Sequence, residues 1–399
     1  MKKNQPGSPR LPAPSGAPPA LSAADARFLR QAFTLARKVK GKTLPNPAVG
    51  AVVVKGGRVI GRGATRAAGE AHAEIVALEA AARAVAGSKV SGPKGAGAAA
   101  GATLYVTLEP CHHFGRTPPC TRALIRAGIA HVVAACPDPN PRVAGRGFAA
   151  LRRAGIVVDV APSGSSWRTA GEELYAGFAC WILNGRPLVT VKVAQTLDGR
   201  INEAAGRETA LTGTAAQRFA HGLRARADAI LVGAETVRVD DPDLTPRLVP
   251  GLPPQVFVLS RSGKLPRSAR IFAAGRSART WVVAPEKPRN LPDHVGFARL
   301  SLRAARAGGR TLARELLKIW AGQGLHEVLV EGGRAVWSPF LEAGAWDHLY
   351  VLTAPRFLPR GDSWTKELSP QWVKPLVFHR FTHLGQDGLT EFRRRTSAR

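Results

Sequence analysis

Apolar positions fall in short runs along this chain, and the spacing within the runs switches repeatedly between helical and extended periods. Ser22 reads as an N-cap with Asp25 three residues on, and Phe28, Leu29, Ala32, Phe33 and Ala36 then mark one helix face. Val49 to Val54 reads as a buried strand, turned by Gly56-Gly57 and returned by Val59-Ile60. Helical spacing resumes from Ala71 to about Ala86. A strand from Leu104 to Leu108, a helix from Cys120 to Ala127 stopped by Gly128, and a strand from His131 to Ala135 come next. A helix from Arg146 to Ala154 and a strand from Ile156 to Val160 close the first half. Such alternation predicts an α/β/α sandwich around a mixed sheet.

One linking helix is expected from Glu172 to Leu183, ending at Asn184-Gly185. A two-sided apolar strand from Leu188 to Gln195 then opens a second α/β unit. It continues through a helix (Ala215 to Arg226), strands at Ala229 to Val232, near Val256 and near Trp281, a helix (Leu312 to Ala321) and strands at Glu327 to Val330 and His348 to Leu352. A chain of 399 residues exceeds one ordinary core. The expected division is a disordered basic tail over 1–22, a domain over 23–165, a linker over 166–187 and a second domain over 188–399. A Gly/Ala/Ser/Lys stretch from Gly87 to Gly101 reads as a floppy insertion.

Charge changes the picture less than its size suggests. Lys plus Arg number 57 against 28 acids, a formal charge of +29. Such a surplus raises nucleic-acid binding, by a plain binding protein or by an enzyme acting on nucleic acid. The basic residues are scattered over unrelated elements, though, with no aromatic-interleaved stripe, so no specific nucleic-acid partner is expected. Non-specific polyanion binding at low salt and attraction of phosphorylated substrates are. No apolar run reaches the roughly 20 residues of a membrane span. Pro, Gly and Ser stand where a signal peptide would be apolar, which points to the cytoplasm; the acid-free first 24 residues leave an organellar transit peptide open. Of the 4 cysteines, Cys136 and Cys180 read as core thiols.

The other two belong to the chemistry. His72 and Glu74 lie in Glu70-Ala-His-Ala-Glu74, and Cys111 and Cys120 bound a Pro-Cys-His-His-Phe-Gly-Arg-Thr-Pro-Pro-Cys segment. His-x-Glu opening a helix, followed by Pro-Cys and a second Cys, is the pattern of zinc deaminases acting on amino-pyrimidines or amino-purines. His72, Cys111 and Cys120 would hold Zn²⁺ with one position left for water, and Glu74 would carry protons. Eight residues separate the cysteines where the generic pattern has two. In the second half, Val330-Glu331-Gly332-Gly333 ends a strand ahead of a helical stretch from about Trp337. It reads either as a phosphate-approaching turn or as a plain tight turn. Arg224 and Arg247 could grip a phosphate or simply be solvated.

The long cysteine spacing, with Pro45-Asn46-Pro47-Ala48-Val49-Gly50 and Asp138-Pro139-Asn140-Pro141, resembles the bifunctional deaminase–reductase family of riboflavin biosynthesis. The second half continues the resemblance in Thr190 to Arg200, His221 to Ala225, Asp228 to Gly233 and Asp240 to Arg247. It implies a cytidine-deaminase-like sandwich followed by a dihydrofolate-reductase-like α/β domain, and a phosphoribosylated pyrimidine as substrate. It implies NADPH contacts at Ala194, Thr212, Thr236, Asp240, Gly332 and Gly333. Substrate contacts are implied at Asn46 and His113 in the first domain and at Lys192, Arg224, Leu244, Arg247 and Glu331 in the second. Arg116 and Lys42 are lesser candidates for phosphate contacts. Pairing of chains through the reductase domain is also implied. One departure stands out: Glu208 and Ala210 occupy positions where the family has Ser and Trp, so a deaminase with an impaired reductase is the alternative.

Overall fold

The computed structural model describes residues 21–86, 97–204, 209–276, 279–289, 291–365 and 368–395. Nearly all of the expected 1–22 tail, most of the Gly87 to Gly101 insertion, and Gly206, Arg207 and Glu208 lie outside these residues.

Helix α1 (Ala23–Val39) starts at a reciprocal cap: Ser22 Oγ accepts the Asp25 N–H at 3.1 Å, and the Asp25 carboxylate accepts the Ser22 N–H at 2.9 Å. Its buried face is the one the spacing picks out, Phe28 to Ala36. Strands β1 (Gly50–Lys55) and β2 (Arg58–Ala64) form a hairpin, and helix α2 (Ala73–Ala86) crosses back over it. Strand β3 (Thr103–Val106), helix α3 (Cys120–Arg126), strand β4 (His131–Ala134), helix α4 (Arg146–Arg153) and strand β5 (Val157–Val160) follow. The sheet runs β2-β1-β3-β4-β5, with β1 antiparallel to both neighbours and β3 to β5 parallel. Val52 and Val54 pack against α1 on one face; Ala51 and Val53 pack under α2 on the other. Glycine at position 63 sets the height of α2, because a Cβ there would lie 2.1 Å from the Ala73 carbonyl oxygen. That contact seats the first turn of α2, and with it Glu74, on the sheet.

The linker corrects one expectation. In place of a single helix from Glu172 to Leu183 there are two, α5 (Ser166–Leu174) and α6 (Ala176–Asn184), broken at Tyr175. The break serves packing: Trp167 of α5 stacks on Phe33 of the first domain, while Phe178 and Trp181 of α6 flank His326 of the second. One straight helix could not serve both surfaces.

The second domain comprises β6 (Leu188–Thr196), α7 (Thr214–Arg226), β7 (Ala229–Gly233), α8 (Ala234–Asp240), β8 (Gln255–Leu259), β9 (Thr280–Ala284), β10 (Gly296–Arg299), α9 (Leu302–Ala307) and α10 (Gly309–Gly322). Strand β11 (Glu327–Val330), α11 (Arg334–Ala343), β12 (His348–Ala354), β13 (Leu376–Leu384) and β14 (Asp387–Arg394) complete it. Among the described residues its sheet has nine strands in the order β10-β9-β8-β7-β11-β6-β12-β14-β13, parallel as far as β12. Buried Trp320, Trp337 and Phe340 fill one side of it. Strand β11 lies between β6 and β7, so the chain reverses its direction of travel across the sheet there. The crevice beyond the carboxyl ends of those strands is where open α/β sheets take ligands. No helix among the described residues is long and apolar enough to cross a membrane.

Candidate active sites

The first site forms where α2 starts and the β3–α3 loop ends. His72 precedes the helix by one residue, its carbonyl accepting the Val76 N–H at 3.1 Å; the expected start at Ala71 is two residues early. Cys111 follows β3, and Cys120 is the first residue of α3. His72 Nδ1 lies 3.6 Å from Cys111 Sγ and 3.4 Å from Cys120 Sγ, and the three donor atoms all fall within 4.8 Å of one another. Bonds of about 2.0–2.3 Å to a tetrahedral ion require donor–donor edges of roughly 3.3–3.8 Å, so this nitrogen and two sulfurs suit zinc. The other ring nitrogen, His72 Nε2, sits 3.3 Å from Thr117 Oγ1, a contact that helps to set the ring's tilt. Cys111 is held down to about 4 by its hydrogen bond with Cys120 and by His72, and the same bond pushes Cys120 up.

Glu74 is 4% exposed, behind the ligands. Burial, then the charge of Cys111, pushes its carboxyl up to about 7. Both protonation states are then accessible near neutrality, which a proton carrier needs. Asn46 stands in a turn tied both ways to Thr43, with the Asn46 N–H on the Thr43 carbonyl and Thr43 Oγ1 on the Asn46 carbonyl, each at 2.8 Å. Its side-chain amide has no hydrogen bond among the described residues. His113, Arg116 and Lys42 are exposed, and His112 is turned aside to Thr121 at 2.9 Å.

Sequence reasoning missed Glu109. This buried carboxylate accepts backbone N–H groups from Asp138 (3.2 Å), Gly145 (2.9 Å), Gly147 (2.8 Å) and Phe148 (3.2 Å). It ties the residue two before Cys111 to the Asp138 loop and the start of α4. The available signal was a lone charge at the end of an apolar strand, directly before Pro-Cys.

The second site lies in the crevice beyond β6, β7 and β11. Glu331 accepts Arg224 Nη2 at 2.7 Å and Arg224 Nε at 3.3 Å, with Lys192 Nζ 4.0 Å away. Burial alone would raise this carboxyl, but Arg224 and Lys192 outweigh it and hold it at about 2. Two guanidinium donors of Arg224 are therefore committed to Glu331. Arg247 is exposed, and its charge acts on Asp243 and His221 nearby. His221, one helical turn before Arg224, is pushed down to about 4 by burial and by Arg224 and Arg247, so it is neutral here.

Ala194 follows Lys192 by two positions on β6 and shares its face. Leu244 is buried at φ 62° and Asp241 has φ 36°, left-handed conformations that cost a non-glycine residue about 1–3 kcal/mol each and gather at functional sites. Gly332 has φ +108°, and a Cβ on it would meet Thr236 Oγ1 at 3.0 Å. Gly333 N-caps α11, and a Cβ built on it would meet nothing within 4 Å among the described residues. Bare backbone at a helix N-terminus, beside Thr236, is a cradle that fits a dinucleotide phosphate. Asp240 ends α8 on the same side. Thr212 stands off: it precedes α7, whose first residue lies about 15 Å along the helix axis from Arg224. Ala210 is exposed, its carbonyl accepting Arg356 at 2.7 Å.

Comparison with known proteins covers both sites. Residues 22–136 match the family described as the cytidine and deoxycytidylate deaminase zinc-binding region, and residues 187–387 match the RibD C-terminal domain. The riboflavin biosynthesis protein RibD of Aquifex aeolicus is 41% identical over 341 residues, 84% of this chain and 88% of that protein. The Escherichia coli protein of the same name is 37% identical over 356 residues, again 84% and 88%. Among solved structures, the Thermotoga maritima deaminase/reductase superposes with a TM-score of 0.74 at 33% identity, covering 93% of this chain and 99% of that one. RibD of Acinetobacter baumannii gives 0.71 at 32%, with the same coverage. Identity of this order across both domains, with a His/Cys/Cys cluster assembled in the first and the Glu331–Arg224 pair in the second, means that the chain belongs to the RibD family of bifunctional deaminase–reductases of riboflavin biosynthesis.

Proposed function

We propose that the first domain hydrolytically deaminates 2,5-diamino-6-(5-phosphoribosylamino)pyrimidin-4-one and that the second reduces the ribosyl group of the product to ribityl with NADPH. The Thermotoga maritima protein is described as a diaminohydroxyphosphoribosylaminopyrimidine deaminase/5-amino-6-(5-phosphoribosylamino)uracil reductase, which supports this pair of reactions. The observation that carries the reading is the His72–Cys111–Cys120 cluster with buried Glu74 beside it.

Zinc held by His72, Cys111 and Cys120 would supply Lewis-acid activation of a water. Glu74 takes a proton from the water that adds to the amine-bearing carbon. It passes that proton to the ring nitrogen, then takes the second proton from the newly formed hydroxyl and passes it to the amine, which leaves as ammonia as the carbonyl forms. Asn46, with its amide unengaged, orients the pyrimidine edge, and exposed His113 lines the entrance. In the second domain NADPH would supply a hydride to the ribosyl carbon. Gly332, Gly333 and Thr236 form the cradle for its phosphate, with Ala194, Asp240 and Thr212 along its length. Arg247 offers an exposed charge to the substrate phosphate. Lys192, Arg224, Glu331 and Leu244 shape the pocket for the sugar.

Four free cysteines support a cytoplasmic setting. Exposed Val377, Phe378 and Phe381 on the edge strand β13 support a homo-oligomer formed through the reductase domain, which light scattering tests. The test of the first reaction is Glu74→Gln. Zinc content by mass spectrometry stays at the wild-type level and deamination falls at least about a hundredfold, the usual worth of a general acid–base. Normal turnover in this variant would contradict the assignment.

A further inference from the structure

The break between α5 and α6 puts one side chain where the linker meets the deaminase loop that carries Asn46. Tyr175 is 3% exposed and part of the first domain's core. Its hydroxyl donates to the Ala48 carbonyl at 3.1 Å and lies 2.6 Å from Thr107 Oγ1, which accepts the Gly50 N–H at 3.0 Å. Each hydroxyl has one proton, so the bonds run one way: Gly50 N–H to Thr107, Thr107 to Tyr175, Tyr175 to Ala48. Burial raises the phenol far above its usual pKa, so the donor stays protonated.

The opposite flank of the same loop rests on the second domain. A Cβ at Gly324 would come within 3.0 Å of Pro45 Cβ. Lys40, just before the loop, reaches Glu327 at 2.8 Å. A cavity of about 20 Å³ between Asn46, Pro47, Tyr175, Phe178 and His326 leaves space for about one water. The loop is thus clamped between linker and reductase domain, and the Asn46 side-chain amide has no hydrogen bond among the described residues.

We propose that Tyr175 is a positioning residue for deamination: by holding the Ala48 carbonyl it fixes the 43–49 loop and aims Asn46 at the pyrimidine. This rests on the reading of Asn46 as a pyrimidine contact. Tyr175→Phe in the full-length protein keeps the ring and removes the donor. The deamination KM rises about fivefold to tenfold, the worth of one hydrogen bond, while kcat, zinc content and NADPH-dependent reduction hold. Asn46→Ala raises KM at least as much, and the double variant adds little to it, because both substitutions act through one loop. Unchanged KM in Tyr175→Phe beside a raised KM in Asn46→Ala overturns the proposal. Unchanged KM in Asn46→Ala overturns the reading beneath it. Loss of zinc, or of kcat in both reactions, in Tyr175→Phe would show a general structural role and overturn positioning.

Discussion

Glu331 grips Arg224 through both carboxylate oxygens, at 2.7 and 3.3 Å, at the carboxyl end of the strand where the reductase sheet reverses direction. Removing Glu331 leaves the largely buried Arg224 and Lys192 without their shared carboxylate. Glu331→Ala is expected to cost about 3 kcal/mol of reductase-domain stability by denaturant titration and to abolish NADPH oxidation. Deamination by the same protein persists.

Acid acts on the same domain with a defined sign. Glu331 ionises near 2 when folded and near 4.5 when unfolded, so its stabilisation is complete above about 4.5 and is lost as pH falls toward 2. His326, buried against Phe178 and Trp181 and facing Glu327, Lys40 and Asp228, is pushed down to about 4 by burial. The unfolded chain therefore takes up that proton first, and stability falls as pH drops from about 6.5 to 4. Melting temperature against pH shows this decline, and His326→Gln flattens the part of it above pH 4.5.

Loss of the metal is expected to stop one reaction only. Cys111→Ser or Cys120→Ser removes a thiolate from a three-residue ligand set, and zinc content falls below half of the wild-type value with loss of deamination. The ribosyl reduction, assayed with pre-deaminated substrate, is unchanged. Equal loss of both activities would contradict independent sites.

Glu109 holds the deaminase site together from outside the ligand set. Glu109→Ala orphans the Asp138, Gly145, Gly147 and Phe148 amides. The expected cost is roughly 3 kcal/mol, lowering the first domain's melting temperature by roughly 6–12 °C in calorimetry.

Gly332→Ala would place a methyl group 3.0 Å from Thr236 Oγ1 on a backbone at φ +108°. The KM for NADPH is expected to rise about tenfold or more with deamination unaltered, as steady-state kinetics on each half-reaction would show.

The His72–Cys111–Cys120 cluster was legible because its pattern is local: His72 and Glu74 are two residues apart, and Cys111 and Cys120 bound one loop. The parallel strands were legible because both faces are buried and the runs are continuously apolar, as in Val328 to Val330. Glu109 was hidden because its four donors lie 29 to 39 residues downstream and are main-chain groups without a sequence signature. The β13–β14 hairpin escaped because β13 is an edge strand whose Phe378, Arg380 and Phe381 are exposed, so no burial alternation marks it. The split at Tyr175 escaped because Tyr is a tolerable helix residue, and only tertiary packing on two domains makes it a break.

The most direct test of the account is the mass of the diaminopyrimidinone ribosyl phosphate after incubation with zinc-replete enzyme, with and without NADPH. Without NADPH, one amine is replaced by oxygen and nothing more happens; with it, the product gains two further hydrogens. Deamination without any gain of hydrogen would contradict the reductase assignment and point to Ala210 and its neighbours. An unaltered mass in both reactions would contradict the substrate itself.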